Sequence, residues 1–251
     1  RPDSADPTPP PDWERDHRPM STNQKVQNSV VDPLLFAKTF WPHVTFYNKQ
    51  RDLMYSVRDN PETICIAGNM LGKDFMAGFL VLWFFLSRTP CRVMTTSVDG
   101  HQLESVLWGE IRNFISTSTL ADQPGVEAVL DSRNGGPLLV NHMHIRKMDK
   151  GRLCDLSYIK GKVAAQKEGM LGHHVADVGD GIPRTLLVAD EASGVDDATW
   201  DVCDSWARRK LAIGNPYPTT NFFYRSWKEG SKFSKHGRAR YLVCDRNVIN
   251  I

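Results

Sequence analysis

The sequence has no apolar run long enough for a bilayer crossing, which takes roughly 17 to 25 residues. Its longest, residues 75–86 (FMAGFLVLWFFL), has 12 and reads as a buried helix. Cysteine is scarce and unpatterned: the five, at 65, 91, 154, 203 and 244, are odd in number and form no CxxC pair. That argues against a disulfide scaffold or a zinc site and suits a reducing, intracellular compartment. Neither sign of charge dominates, with 31 Lys and Arg against 29 Asp and Glu. No Met, apolar h-region or cleavage signature stands at the start, where the first residue is Arg1, so a processed fragment without a secretion signal is expected.

What is present describes a globule. The 251 residues are 41% hydrophobic and 24% charged, which excludes a disordered, coiled-coil or low-complexity chain and allows one large domain or two small ones. Residues 1–19 hold six of the fifteen prolines and almost no aliphatic side chains, so a Pro-rich flexible arm is expected over 1–25 and a single domain over 26–251. The net charge of +2 is unevenly spread: residues 201–251 carry +6 and the rest −4. A basic segment of that kind is either a solvated tail or a contact for phosphates.

Along the domain, short apolar runs alternate with longer amphipathic ones. Strands are expected at 63–67, 91–96, 138–145, 153–159, 185–189 and 210–213, and helices chiefly at 73–87 and 101–116, where Leu103, Leu107, Ile111 and Phe114 share a face. Strand and helix repeated in this way predict an α/β domain with a mainly parallel central sheet flanked by helices. The runs 138–145 and 153–159, separated by a polar stretch, predict an added antiparallel hairpin.

Four segments carry chemistry. The first, ICIAGNMLGKDF at 64–75, is an apolar strand, a loop from Gly68 through Asn69, Met70 and Leu71 to Gly72, and then Lys73 opening a long helix. Loop amides and the positive end of the helix suit a polyphosphate, and the Lys73 ammonium adds a full charge. Ala67 stands where the usual GxxxxGK[ST] pattern has its first Gly, and Asp74 where it has a Mg²⁺-binding hydroxyl. The alternative is a tight turn into a core helix. The second, RTLLVADEAS at 184–193, is a buried strand ending in Asp190 and Glu191, which places two acids at the sheet edge where α/β ligands bind. Asp190 is suited to Mg²⁺, directly or through water, and Glu191 to orienting or deprotonating an attacking water. A plain strand exit is the alternative there. The third, KLAIGNP at 210–216, offers Gly214 for close approach and the Asn215 amide for sensing a phosphate or its water, or else forms an Asn-Pro turn. The fourth, TFYNKQRDLM at 45–54, places Tyr47 three residues before Gln50, a ring to stack on a base and an amide that can read adenine.

Taken in order, the Gln50 segment, the phosphate loop, TTS at 95–97 followed by Gln102, GMLGHH at 169–174, VADEASG at 188–194 and GNP at 214–216 resemble the large terminase subunit of tailed bacteriophages. The resemblance covers roughly residues 40–224. It implies a P-loop NTPase fold of the ASCE, RecA-like type and a motor that uses ATP and Mg²⁺ to move double-stranded DNA into a preformed capsid. It also implies a homo-oligomeric ring, a portal protein and a small terminase subunit as partners, and the cytoplasm of an infected bacterium as the setting. Carried across, Lys73 and the amides of residues 68–72 hold phosphates, Asp190 serves the metal, Glu191 activates water, Gly214 and Asn215 match the coupling motif, and Gln50 the adenine motif; Asp74 departs from the Thr or Ser usual in that family, and as a carboxylate it is a competent Mg²⁺ ligand that repels phosphates. The trans-acting arginine has no assigned position; Arg133, Arg146 and Arg152 are candidates. Only 35 residues follow the GNP motif, too few for the nuclease domain of that family, so the chain is expected to be the ATPase half. A helicase-like ATPase and a non-catalytic nucleotide- or DNA-binding scaffold are the competing readings.

Overall fold

The structure is a computed structural model that describes residues 32–120, 123–127, 130–149, 151–164, 167–215, 217, 219–229 and 240–245. The expected N-terminal arm lies outside the described residues, as do Pro216 and the basic positions Lys232, Lys235 and Arg238.

The strands are β1 (Glu62–Ala67), β2 (Arg92–Ser97), β3 (Thr119–Leu120), β4 (Gln123–Glu127), β5 (Leu138–Asn141), β6 (His144–Asp149), β7 (Arg152–Val163), β8 (Thr185–Ala189), β9 (Arg209–Gly214) and β10 (Arg240–Asp245). The helices are α1 (Pro33–Phe40), α2 (Asn48–Asp59), α3 (Lys73–Leu86), α4 (Trp108–Ser116), α5 (Asp197–Val202) and α6 (Phe222–Glu229). Eight strands form one sheet in the order β10-β1-β9-β8-β2-β7-β6-β5, and β3 pairs with β4 in a separate ribbon. From β10 to β7 every pairing is parallel, and β6 and β5 follow antiparallel.

Burial on both faces explains why the central strands read as continuous apolar runs. In β1, Cys65 and Ala67 face the core that contains α3, while Ile64 and Ile66 face the opposite core. In β8, Leu186 and Val188 face the first core and Leu187 and Ala189 the second. Helix α3 is enclosed on all sides, with Phe79, Leu80, Trp83 and Phe84 inaccessible to solvent, which is why its sequence shows no polar face. Gly78 lets it approach α4: a Cβ there would stand 2.9 Å from the Glu110 Cβ and 3.2 Å from the Ile111 backbone nitrogen.

Three expectations are corrected. The strand expected over 138–145 is two strands, β5 and β6, folded back at His142 and Met143 with Asn141 opposite His144, so the hairpin is a three-stranded meander. The helix expected over 101–116 begins with a turn at Gly100–Gln102, winds as a π-helix through Leu103–Leu107 and becomes α-helical at Trp108. That extra residue in the turn buries Leu103, Leu107, Trp108 and Ile111 together and lets the Trp108 indole donate to Thr95 Oγ1 at 2.9 Å. The basic C-terminal segment is not simply a tail, because residues 240–245 pair parallel with β1 in full register. Within the same basic segment, Arg225 holds Asp197 at 2.7 Å.

Candidate functional site

The C-terminal ends of β1, β8 and β9 converge, and the three chemical segments of the sequence meet there. After β1 the chain passes through Met70 at φ 63° and Gly72 at φ 72° before α3 starts at Lys73. Both residues are in the left-handed region, which costs glycine little and a side chain more; Met70, almost fully exposed, is the strained position. The turn aims the first amides of α3 at the space above the sheet. Lys73, only 8% exposed, donates to the Gly68 carbonyl at 2.9 Å and to Asn215 Oδ1 at 3.0 Å. Asn215 in turn donates through Nδ2 to Asn69 Oδ1 at 2.8 Å. The residue after β9 therefore bridges the loop and its lysine.

Gly214 is needed at this junction because a Cβ would stand 3.1 Å from the Ala192 backbone nitrogen. The acid pair sits alongside. Asp190 is wholly buried, and its backbone N–H donates to the Thr96 carbonyl at 2.8 Å, which ties the end of β8 to β2. Burial first, and then the carboxylates of Asp74 and Glu191, push the Asp190 carboxyl up from its ordinary range, against the Glu191 backbone N–H that donates to Asp190 Oδ1 at 2.8 Å. Asp190 Oδ2 and the nearby Thr96 and Ser97 hydroxyls are buried without a hydrogen-bond partner.

Two carboxylates brought together at a helix N-terminus, one with an orphaned buried oxygen, fit a hard dication. Mg²⁺ suits this donor set, since it keeps most of its waters and takes one or two carboxylates plus phosphate oxygens. Among the described residues no group of three or more His, Cys, Asp or Glu gathers into a cage made of protein ligands alone.

Glu191 has φ 46°, a left-handed conformation for a residue with a side chain, and its Oε1 accepts from Gln102 Nε2 at 3.3 Å. The turn that follows is clamped by Asn221, whose Nδ2 donates to the carbonyls of Ala192, Ser193 and Val195 at 2.8, 3.1 and 2.7 Å. Neither contact was assigned from the sequence. Gln102 stood only as one letter of a motif, and nothing local marks Asn221.

Gln50 and Tyr47 also reach the loop. Gln50 caps α2 by accepting the Tyr47 N–H at 3.3 Å, and its Nε2 lies 3.3 Å from where a Cβ on Gly72 would be. The Tyr47 hydroxyl donates to the Leu71 carbonyl at 3.1 Å, and a small cleft between these residues, Leu53, Cys65 and Lys73 opens beside the loop. The GMLGHH segment is elsewhere: Trp206 donates to the Met170 carbonyl at 2.7 Å and Arg92, at the start of β2, to the His174 carbonyl at 2.7 Å, so it packs at the opposite edge of the sheet. Of the candidate arginines, Arg133 is exposed and chelates Asp131, and Arg146 lies 3.9 Å from Asp155.

No protein-family model and no curated protein matches the chain. Solved structures do. The large terminase ATPase domain of Thermus phage P74-26 superposes with a TM-score of 0.56 at 11% identity, over 80% of this chain and 81% of that one. The large terminase of the thermophilic bacteriophage D6E gives 0.53 at 14% identity over 80% of this chain, and the HK97 bacteriophage large terminase 0.52 at 11% identity over 92%. This chain spans 46% of the length of each of the latter two. The D6E protein has also been solved in complex with ADP, with a TM-score of 0.51 at 15% identity over 80% of this chain and 45% of that one. At these identities the likeness is one of fold: the chain has the fold of phage large terminase ATPase domains, with β9 lying between β1 and β8.

Proposed function

We propose that this chain is the Mg²⁺-dependent ATPase domain of a phage DNA-packaging motor. The observation that carries the reading is the convergence of Lys73, the Asp190–Glu191 pair and Asn215 at one edge of the sheet, in the fold of terminase ATPase domains. The loop amides and Lys73 bind the β and γ phosphates. Asp190, with Asp74, would hold Mg²⁺, which would supply neutralisation of charge on the transferred phosphoryl group. Glu191 orients the attacking water and takes its proton. Asn215, bonded to both Lys73 and Asn69, senses whether the γ phosphate is in place, and Gln50 with Tyr47 meets the adenine.

Double-stranded DNA is the polymer moved, a portal protein and a small terminase subunit are the partners, a homo-oligomeric ring is the working form, and the infected host's cytoplasm is the compartment. Among the described residues no helix is long and apolar enough to cross a membrane. The test is Mg²⁺-dependent phosphate release from ATP over a range of protein concentrations. Turnover that rises with concentration and is lost in Lys73→Ala and in Glu191→Gln supports the reading; a Glu191→Gln protein that hydrolyses at the parental rate removes it.

A further inference from the structure

At the edge of the sheet remote from Lys73, the first residues of β8 and β9, Thr185 and Arg209, border a cavity of about 200 Å³. Trp206 and the coil from His174 to Arg184 complete its wall. At about 30 Å³ per water molecule that volume holds roughly six or seven waters, which is room for a small anion and too little for a nucleic-acid duplex.

The charge around the cavity is one-sided. Arg184, Arg208 and Arg209 line it against one carboxylate, Asp177, whose Oδ1 already accepts the Gly179 N–H at 2.9 Å. Arg184 is held by the Thr89 carbonyl, 3.0 Å from Nη1, and by Asp180, yet its Nε is buried with no hydrogen-bond partner. Among the described residues no carboxylate lies within ion-pair distance of Arg208 or Arg209. Arg209 donates through Nη2 to the Arg58 carbonyl at 3.0 Å, and the Asp59 carboxylate that attracts it is held by Arg58 at 2.7 Å.

A further guanidinium stands behind the wall. Arg88, next to Thr89 in the chain, is 6% exposed, lies over the Trp83 and Phe84 rings, and also has a buried Nε without a partner. Burial pushes Arg88 down to about 10, and the charges of Arg209 and Arg184 add to that shift; burial likewise pushes Arg209 below its ordinary value. Guanidiniums gathered out of water with too few acids are costly, and an anion with several acceptor oxygens offsets the cost. Their planar forks match the oxygens of a phosphate.

The geometry points to this cavity as a binding site for a small phosphate anion, inorganic phosphate or diphosphate, held by Arg184, Arg208 and Arg209. The site is separate from the phosphate loop, which lies at the other ends of the strands, and it does not depend on the ATPase reading. A bound anion joins the coil before β8 to the starts of β8 and β9 and so stabilises the fold.

The experiment titrates inorganic phosphate, and separately diphosphate, into Lys73→Ala by calorimetry, without ATP and at an ionic strength held constant with chloride. The Lys73→Ala background removes the cation of the phosphate loop. Arg208→Gln, Arg209→Gln and Arg209→Lys are each made in that background, with a thermal melt of every protein. One saturable phosphate per chain is expected, with Tm raised by about 5–10 °C at a hundred-fold excess over Kd. Each Gln variant should weaken binding by about 10-fold or more, and Arg209→Lys, which keeps the charge and loses the fork, by less. Arg208 is exposed, so Arg208→Gln tests the site even if Arg209→Gln fails to fold. A short DNA duplex should not displace the bound phosphate. Absence of saturable binding, binding unchanged in both Gln variants, or a Tm rise that chloride reproduces overturns the inference. Displacement by the duplex overturns the small-anion assignment in favour of a nucleic-acid backbone. No arm reads turnover, so a parent that fails to hydrolyse ATP removes the ATPase reading and leaves this one standing.

Discussion

Asn215 ties together two segments far apart in the chain, and under the proposed ATPase function its removal is expected to separate binding from chemistry. Without it, Lys73 loses a neutral acceptor at 3.0 Å and Asn69 a donor at 2.8 Å. A hydrogen bond to a charged group is worth about 1.5–3 kcal/mol, so Asn215→Ala is expected to lower kcat by about 10- to 100-fold. ATP affinity, measured by a fluorescent analogue, should change by less than about three-fold, because the loop amides remain. Lys73→Ala should instead lose the binding itself. A second residue responds to pH. His173 is 8% exposed; its Nε2–H donates to the Gly169 carbonyl at 3.0 Å and its Nδ1 accepts from the Tyr158 hydroxyl at 2.6 Å. Burial pushes this imidazole below its ordinary value, outweighing the Gly169 bond. The unfolded chain takes up the proton first, near pH 6.5, so the stability His173 contributes is complete above that pH and is lost as pH falls toward the lower folded value. The Tm should drop between pH 7.5 and 5.5, and His173→Gln should shrink that drop in a thermal melt. Residues with a local motif, Lys73, Asp190, Glu191 and Asn215, were legible in the sequence because their neighbours are punctuated by glycine and apolar runs. Gln102 and Asn221 were not, since each acts on the acid strand through one or a few hydrogen bonds formed only after folding.

At the scale of elements, the sequence was most informative where burial is symmetrical. β1, β2, β8 and β9 are buried on both faces and match their apolar runs to within one or two residues. The sequence was least informative where a tertiary contact overrides local periodicity. A 3.6-residue pattern over 101–116 contains no sign of a π turn, because the turn is set by the Trp108 bond to Thr95 and by Gly161, where a Cβ would stand 2.7 Å from Trp108 Nε1. The reversal at His142 and Met143 was hidden for a related reason: the run 138–145 has no Gly, Pro or Asn-Gly pair to announce a turn. The α3–α4 contact yields a direct prediction. Gly78→Val inserts branched carbon where even a Cβ meets the Glu110 Cβ at 2.9 Å and the α4 backbone at 3.2 Å. Overpacking of this kind costs about 1–3 kcal/mol, so Tm should fall by roughly 2–4 °C per kcal/mol with α4 displaced. Calorimetry of the variant checks it.

For the molecule as a whole, the strand order was outside the reach of the sequence: composition and periodicity predict a parallel sheet, but not that β9 lies between β1 and β8 or that β10 lies beyond β1. The two edges of that sheet have different chemistry. The C-terminal edge is the polar site. At the other edge Lys210 is fully buried, with Nζ 2.6 Å from Asp204 Oδ1, 4.0 Å from Glu62 Oε1 and 4.2 Å from the centre of the Trp200 ring, while Trp200 Nε1 donates to Glu62 Oε1 at 2.8 Å. This group joins the first residues of β1 and β9 to α5. Lys210→Met leaves two acids without the buried cation, a loss of about 3–5 kcal/mol, and Tm should fall on the order of 10 °C. If the melt is unchanged, the network does not contribute to stability.

The parallel pairing of β10 with β1 bears on how this domain can be divided. A chain cut anywhere between Tyr224 and Arg240 keeps Lys73, Asp190, Glu191 and Asn215, yet leaves β1, a fully buried strand, with one row of backbone groups open to any passing chain. Such a fragment should self-associate edge to edge into sedimenting material, and adding the missing strand as a separate peptide should return it to solution. The last strand is in this sense an internal chaperone for the strand that leads into the loop before Lys73.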